Sequence, residues 1–110
     1  FPGSYTVLLP SKKSDLSPLV QSGSPSIGIR IPDHIFPVKL AKLLGKPIIT
    51  TSINRHGTDP LNDVTQVEID FPNVDIFEDS NHAPSKGSTI IDFSMSPPKV
   101  IRDGDGPYPL

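Results

Sequence analysis

With 110 residues, 35% of them hydrophobic and 20% charged, the chain has room for one domain with a modest core. It is too apolar for a disordered tail and too interrupted for a membrane span, which needs ~20 consecutive apolar residues. The absence of cysteine excludes disulfides, thiolate catalysis and cysteine-zinc sites, and the net charge of -2 gives no general affinity for nucleic-acid backbones.

Fourteen prolines exclude long helices, because proline removes a backbone donor and clashes inside a helix. Short elements joined by rigid turns are expected instead. Tyr5 to Leu9 combines aromatic and β-branched residues and stops at Pro10, so it predicts a strand. Residues 10 to 25 are rich in serine and proline and predict a loop, with one helical turn near Leu16 to Val20. From Ser26 to Ile31, Ile27, Ile29 and Ile31 alternate with Ser26, Gly28 and Arg30, the period of a strand with one polar face. Asp33 is the expected N-cap of a short helix bearing Ile35, Phe36, Leu40, Leu43 and Leu44, ended by Gly45 and Pro47. Ile48 to Ser52 predicts a buried strand, and strand, helix, strand in this order predicts a crossover with parallel pairing.

Beyond a polar loop, Val64 to Phe71 fits a short helix or a strand equally well. Val74 to Phe77 predicts a short strand, Ser88 to Phe93 a good one and Lys99 to Arg102 another. The tail from Asp103 contains turn residues and little else. The expected class is α/β, a mixed sheet with few, short helices and many loops.

Polar side chains gather at strand ends: Thr6, Ser26, Arg30, Thr50, Thr51, Ser52, Asn54, Ser88, Thr89, Asp92 and Arg102. Ligands of open α/β sheets bind outside strand ends. Hydroxyls there donate to phosphate or carboxylate oxygens, and arginines clamp such groups bidentately. This chemistry suits recognition of an anionic, phosphorylated ligand rather than nucleophilic catalysis. Each residue also has a plainer role: Thr50 to Ser52 as backbone-satisfying hydroxyls, Arg30 as a solvated charge, Asp92 as a structural acceptor. His34, His56 and His82 lack the spacing of a metal site, and no catalytic residue or metal ligand is assigned. Asp103 to Gly106 lacks the remaining ligands of a calcium loop.

In order along the chain, these segments resemble the carboxyl-terminal half of the YrdC/YciO family. Phe1 to Thr6 (FPGSYT) is similar to that family's W-P-G-P-x-T block, and Ser26 to His34 (SIGIRIPDH) to T-V-G-[IV]-R-[IV]-P-x-H. Pro47 to Gly57 is similar to P-[IL]-x-x-[TP]-S-A-N-x-S-G, Gly87 to Asp92 to G-S-T-V-[VI]-D, and Val100 to Gly104 to [IV]-[IL]-R-x-G.

The resemblance implies a YrdC-like fold of which residues 1–110 form the carboxyl-terminal portion, with Phe1 at a cut inside a longer protein. It implies synthesis of threonylcarbamoyl-AMP and pyrophosphate from L-threonine, bicarbonate and ATP with Mg²⁺, for threonylcarbamoyladenosine modification of tRNA. ATP contacts are implied at Ser26, Ser52, Asn54 and Arg102, and threonine contacts at Arg30, Thr50 and Ser88. Expected with these are a cytoplasmic location and, as partner, the missing amino-terminal half, which carries a Lys-x-Arg pair for the ATP phosphates. The chain alone is expected to be inactive. Ile53 in place of the family's alanine, Arg55-His56 before Gly57, and an Asn81 to Lys86 loop without a glycine pair favour the YciO-like branch. The alternative implied reading is a YciO-like protein that binds double-stranded RNA or tRNA without synthase activity.

Overall fold

The computed structural model describes residues 2–12, 16–21, 23–79 and 83–109. It divides into two compact units, one of Phe1–Ile49 with Ser88–Leu110 and the other of Thr50–Gly87.

The first unit is built on a four-stranded mixed sheet. Its strands are β1 (Tyr5–Pro10), β2 (Ser26–Ile29), β3 (Thr89–Asp92) and β4 (Lys99–Arg102), in the order β2-β1-β3-β4. β1 runs antiparallel to β2 and parallel to β3, and β3 runs antiparallel to β4. A 3-10 turn at Pro18–Val20 lies where the sequence predicts one helical turn.

Alternation along these strands separates two faces. Tyr5, Thr89 and Ile91 are buried on one of them, with Ile91 and Thr89 fully enclosed. The carboxyl-terminal tail closes over that face. The Tyr5 hydroxyl donates to the Pro107 carbonyl at 2.8 Å. Thr89 Oγ1 donates to the Gly106 carbonyl and accepts from the Gly104 amide at 3.0 Å. Gly104 and Gly106 are buried, so the tail is a packed part of the unit.

The helix α1 (Ile35–Leu44) follows β2. Its N-cap is His34 rather than Asp33: the His34 imidazole Nδ1 accepts from the Phe36 amide at 3.1 Å, two residues on, where a capping acceptor is needed. Gly45 ends the helix in the left-handed conformation, φ 63°, as the sequence predicts. No residue of α1 is buried.

Ile48 to Ser52 does not form the expected strand. A strand exists only by pairing, and this run has no ladder partner among the described residues. The parallel neighbour of β1 is β3, and Ile49 is left 75% exposed. Among the described residues β2 pairs with β1, antiparallel, at the edge of the sheet, so the expected parallel crossover from β2 does not form; the parallel pair is β1 with β3, and the chain between them passes through the second unit. Within that unit, the ambiguous segment is a helix, α2 (Val64–Asp70), with Asp63 as N-cap and Val67 buried. Val74 to Phe77 is not a strand either: the Val74 amide turns back to the Phe71 carbonyl, and Phe77 is exposed. Asn62 and Ser85 exchange two hydrogen bonds, 3.1 and 3.0 Å, that tie the two loops flanking α2.

Candidate ligand-binding face of the sheet

Strand register decides which predicted residues share a face. Thr6 pairs with Ile90 across β1 and β3, so Thr6, Ile90 and, by alternation, Ser88 point the same way. Ile90 pairs with Arg102 across β3 and β4, which adds Arg102. Leu8 pairs with Gly28, and Pro10 with Ser26, so the polar side of β2 also belongs to this face. A Cβ at Gly28 would lie 3.4 Å from both Leu8 Cδ2 and Thr6 Cγ2, which places Gly28, opposite Leu8, diagonally beside Thr6. Alternation past the end of β2 brings Arg30 to the same side. This face, opposite the one that buries Tyr5 and Ile91, carries four of the seven predicted contact residues: Ser26, Arg30, Ser88 and Arg102.

At its centre is a hydrogen-bonded cluster. Arg102 Nε donates to the Ser88 carbonyl at 2.9 Å, and Nη2 donates to Ser88 Oγ at 3.2 Å. Ser88 Oγ lies 2.6 Å from Thr6 Oγ1. Ser88 is only 7% exposed, so its hydroxyl would be costly to leave without partners, and Arg102 and Thr6 supply them. Arg30 sits at the end of β2, where its Nε reaches the Gly3 carbonyl at 3.4 Å, next to the bridge between Pro2 and Ile31. The Ser26 amide is held by Ser24 Oγ at 3.1 Å.

Thr50, Ser52 and Asn54 belong to the second unit. Ser52 Oγ donates to Asn54 Oδ1 at 2.6 Å, while Asn54 Nδ2 donates to the carbonyls of Arg55 and Thr58 at 2.9 and 3.1 Å. The Asn54 amide is thus the brace of its own loop. Ile53 is half-buried beside it, its carbonyl accepting from the Leu61 amide at 2.9 Å. The Arg55 guanidinium lies 5.7 Å from the centre of the Phe71 ring. Thr50 is exposed.

Asp92 closes β3 as an acceptor. Its Oδ1 takes hydrogen bonds from Ser94 Oγ at 2.6 Å and the Ser94 amide at 2.8 Å. These two bonds, helped by the charge of Lys99, hold its carboxyl below the usual carboxylate range. Among the described residues no group of three or more histidine or acidic side chains is placed to hold a metal ion. His34 is spent on capping, and His82 and Asn81 lie outside the described residues.

Two concavities lie elsewhere. One of about 370 Å³ is lined by Asn62, Asp63, Val64, Thr65, Glu68 and Glu78, an acidic wall unsuited to an anion. Another, about 230 Å³, lies at the start of α1 around His34. The polar sheet face is an open platform instead. Thr6 is among the polar side chains the sequence offers, but the resemblance implies no contact for it. Its signal is its place at the end of the Phe1 to Thr6 block, together with the parallel register that only the structure reveals.

Comparison with known proteins fits this geometry. Residues 1–104 match the Sua5_yciO_yrdC family model, described as "Telomere recombination". The chain is 30% identical over 110 residues to the uncharacterized protein YciO of Escherichia coli K12, covering 96% of this chain and 52% of that protein. It is 43% identical over 68 residues to a threonylcarbamoyl-AMP synthase of Photobacterium profundum, covering 62% of this chain and 36% of that one. Against the rat threonylcarbamoyl-AMP synthase the identity is 31% over 113 residues, covering 94% and 40%. The crystal structure of E. coli YciO superposes with a TM-score of 0.83 at 28% identity, over 97% of this chain and 53% of that one. The chain therefore spans about half the length of YciO and a smaller share of the synthases.

Proposed function

We propose that this chain, which belongs to the Sua5/YciO/YrdC family, forms the carboxyl-terminal wall of a site that binds L-threonine and ATP and joins them, with bicarbonate, into threonylcarbamoyl-AMP. The observation that carries the reading is the single sheet face holding Ser26, Arg30, Ser88 and Arg102, residues of three separate sequence blocks. Two guanidinium groups and two hydroxyls on one open face are donors suited to carboxylate and phosphate oxygens.

In this reading Arg30, Thr50 and Ser88 hold threonine, with Arg30 paired to its carboxylate. Ser26, Ser52, Asn54 and Arg102 hold ATP. Threonine nitrogen and bicarbonate form a carbamate with loss of water; a carbamate oxygen then attacks the α-phosphorus, a new P–O bond forms as the bond to the oxygen bridging α- and β-phosphorus breaks, and pyrophosphate leaves. The protein's part is positioning and stabilisation of the charge that builds on phosphate oxygens. Mg²⁺ would arrive with the triphosphate, held by phosphate oxygens and water; the Asp92 carboxylate, on this face by register, is engaged by Ser94. The product would serve tRNA modification in the cytoplasm.

The partner implied is the amino-terminal portion of such a domain, in the same chain or supplied separately. Supporting it, α1 leaves Ile35, Phe36, Leu40, Leu43 and Leu44 exposed, an apolar surface that a water-facing helix does not normally present. Acidic residues outnumber basic ones twelve to ten, a balance that does not favour the RNA-binding alternative. The test is pyrophosphate release by the full-length protein with threonine, bicarbonate and ATP. Threonine-dependent release that is lost in Arg30→Ala supports the reading, and release no greater than that of the variant removes it.

A further inference from the structure

We propose that Thr6 is a ligand-contacting residue, the outward end of a donor relay that starts at Arg102 and passes through Ser88. The inference rests on the polar sheet face being the ligand site. It adds a contact that none of the sequence blocks assigns.

One direction in the cluster is fixed: a guanidinium has donors and no acceptor, so Ser88 Oγ accepts from Arg102 Nη2. Between Ser88 Oγ and Thr6 Oγ1, 2.6 Å apart, either hydroxyl can donate. The relay assigns that proton to Ser88, because an oxygen that accepts from a cation becomes a stronger donor. Thr6 Oγ1 then accepts from Ser88 and keeps its own proton for a ligand.

Burial agrees with this order. Ser88 is 7% exposed and engaged on both sides, whereas Thr6 is half-buried and nearer the surface of the face. Gly28, opposite Leu8, lies diagonally beside Thr6 and puts no side chain against it. An unspent hydroxyl proton, polarised from a guanidinium two bonds away, calls for an oxyanion: the carboxylate of the amino acid or a phosphate of the nucleotide.

The experiment uses the full-length protein and titrates L-threonine and ATP separately by calorimetry, so that carboxylate and phosphate are distinguished. Thr6→Val keeps the shape and removes the hydroxyl. It should weaken binding of one of the two ligands by about tenfold or more, the scale of a hydrogen bond to a charged group. Thr6→Ser should restore affinity to within about twofold, which a packing role for the γ-methyl group would not allow. Unchanged binding of both ligands by Thr6→Val, or no rescue by Thr6→Ser, would overturn the proposal.

A second readout needs no ligand. Nuclear magnetic resonance of the unliganded protein should show a slowly exchanging hydroxyl proton on Ser88 that disappears in Thr6→Val. A protected proton on Thr6 instead, or none on either residue, overturns the relay. If the wild-type protein binds neither threonine nor ATP, the site reading fails and Thr6 loses its ligand with it, whatever the resonance shows.

Discussion

Replacing Gly106 with alanine should be among the most damaging single-methyl changes in the molecule. A Cβ there would lie 2.6 Å from Tyr5 Cε1, 2.7 Å from the Ser4 carbonyl oxygen and 2.9 Å from Tyr5 Cδ1. Two of these atoms belong to a buried ring and the third to backbone, so none yields easily. Overpacking of this kind costs about 1–3 kcal/mol. Relief by lifting the tail would break the Tyr5 to Pro107 and Thr89 to Gly106 hydrogen bonds, each worth about 1 kcal/mol net. The expected loss is about 2–4 kcal/mol, against the 5–15 kcal/mol of a typical domain. Urea unfolding followed by circular dichroism should show a lower midpoint with an unchanged slope. Gly28→Ala is the matched control. Its new methyl meets Leu8 and Thr6 at 3.4 Å, ordinary contact, and removing a strand glycine should leave stability equal or higher by up to about 1 kcal/mol. A Gly106→Ala protein within about 0.5 kcal/mol of wild type would refute the tail-on-Tyr5 packing.

Other substitutions probe other parts. Asp92 has its carboxyl lowered by Ser94, so its contribution is complete above the unfolded carboxylate range and is lost as pH falls through the lowered folded value; Asp92→Asn should flatten the acid limb of a melting-temperature profile below about pH 4. His34→Asp should stabilise α1 by about 0.5 kcal/mol, since aspartate caps well and suits the positive helix end, and a higher urea midpoint would show it. Asn54→Ala removes three hydrogen bonds from the 52–58 loop and should cost about 1–2 kcal/mol, visible as faster proteolytic cleavage there. Arg102→Lys loses the two-point grip on Ser88, so threonine-dependent pyrophosphate release should fall at least tenfold while the unfolding midpoint moves little.

Local chemistry made much of the first unit legible. Tyr5 to Leu9, the alternation from Ser26, the Gly45 stop and Lys99 to Arg102 each carry their own signal within a few residues. Long-range competition was not legible. Ile48 to Ser52 has strand composition, yet β3 takes the place beside β1, and no local pattern encodes which of two candidates pairs. The burial of Gly104 and Gly106 likewise depends on Thr89 and on Tyr5, the latter almost a chain length away. For the candidate site, the resemblance singled out seven residues; Thr50, Ser52 and Asn54 belong to the second unit, while the register puts Ser26, Arg30, Ser88 and Arg102 on one face. It also placed Thr6 among them, which no motif had weighted.

The most direct test of the account is to follow the carbon of bicarbonate. Full-length protein is incubated with L-threonine, ATP, Mg²⁺ and ¹³C-bicarbonate, and the products are resolved by mass spectrometry. The account predicts a labelled threonylcarbamoyl-AMP that disappears in both Arg30→Ala and Arg102→Ala. ATP turnover without that labelled adduct, or an adduct formed equally by the two variants, would contradict it.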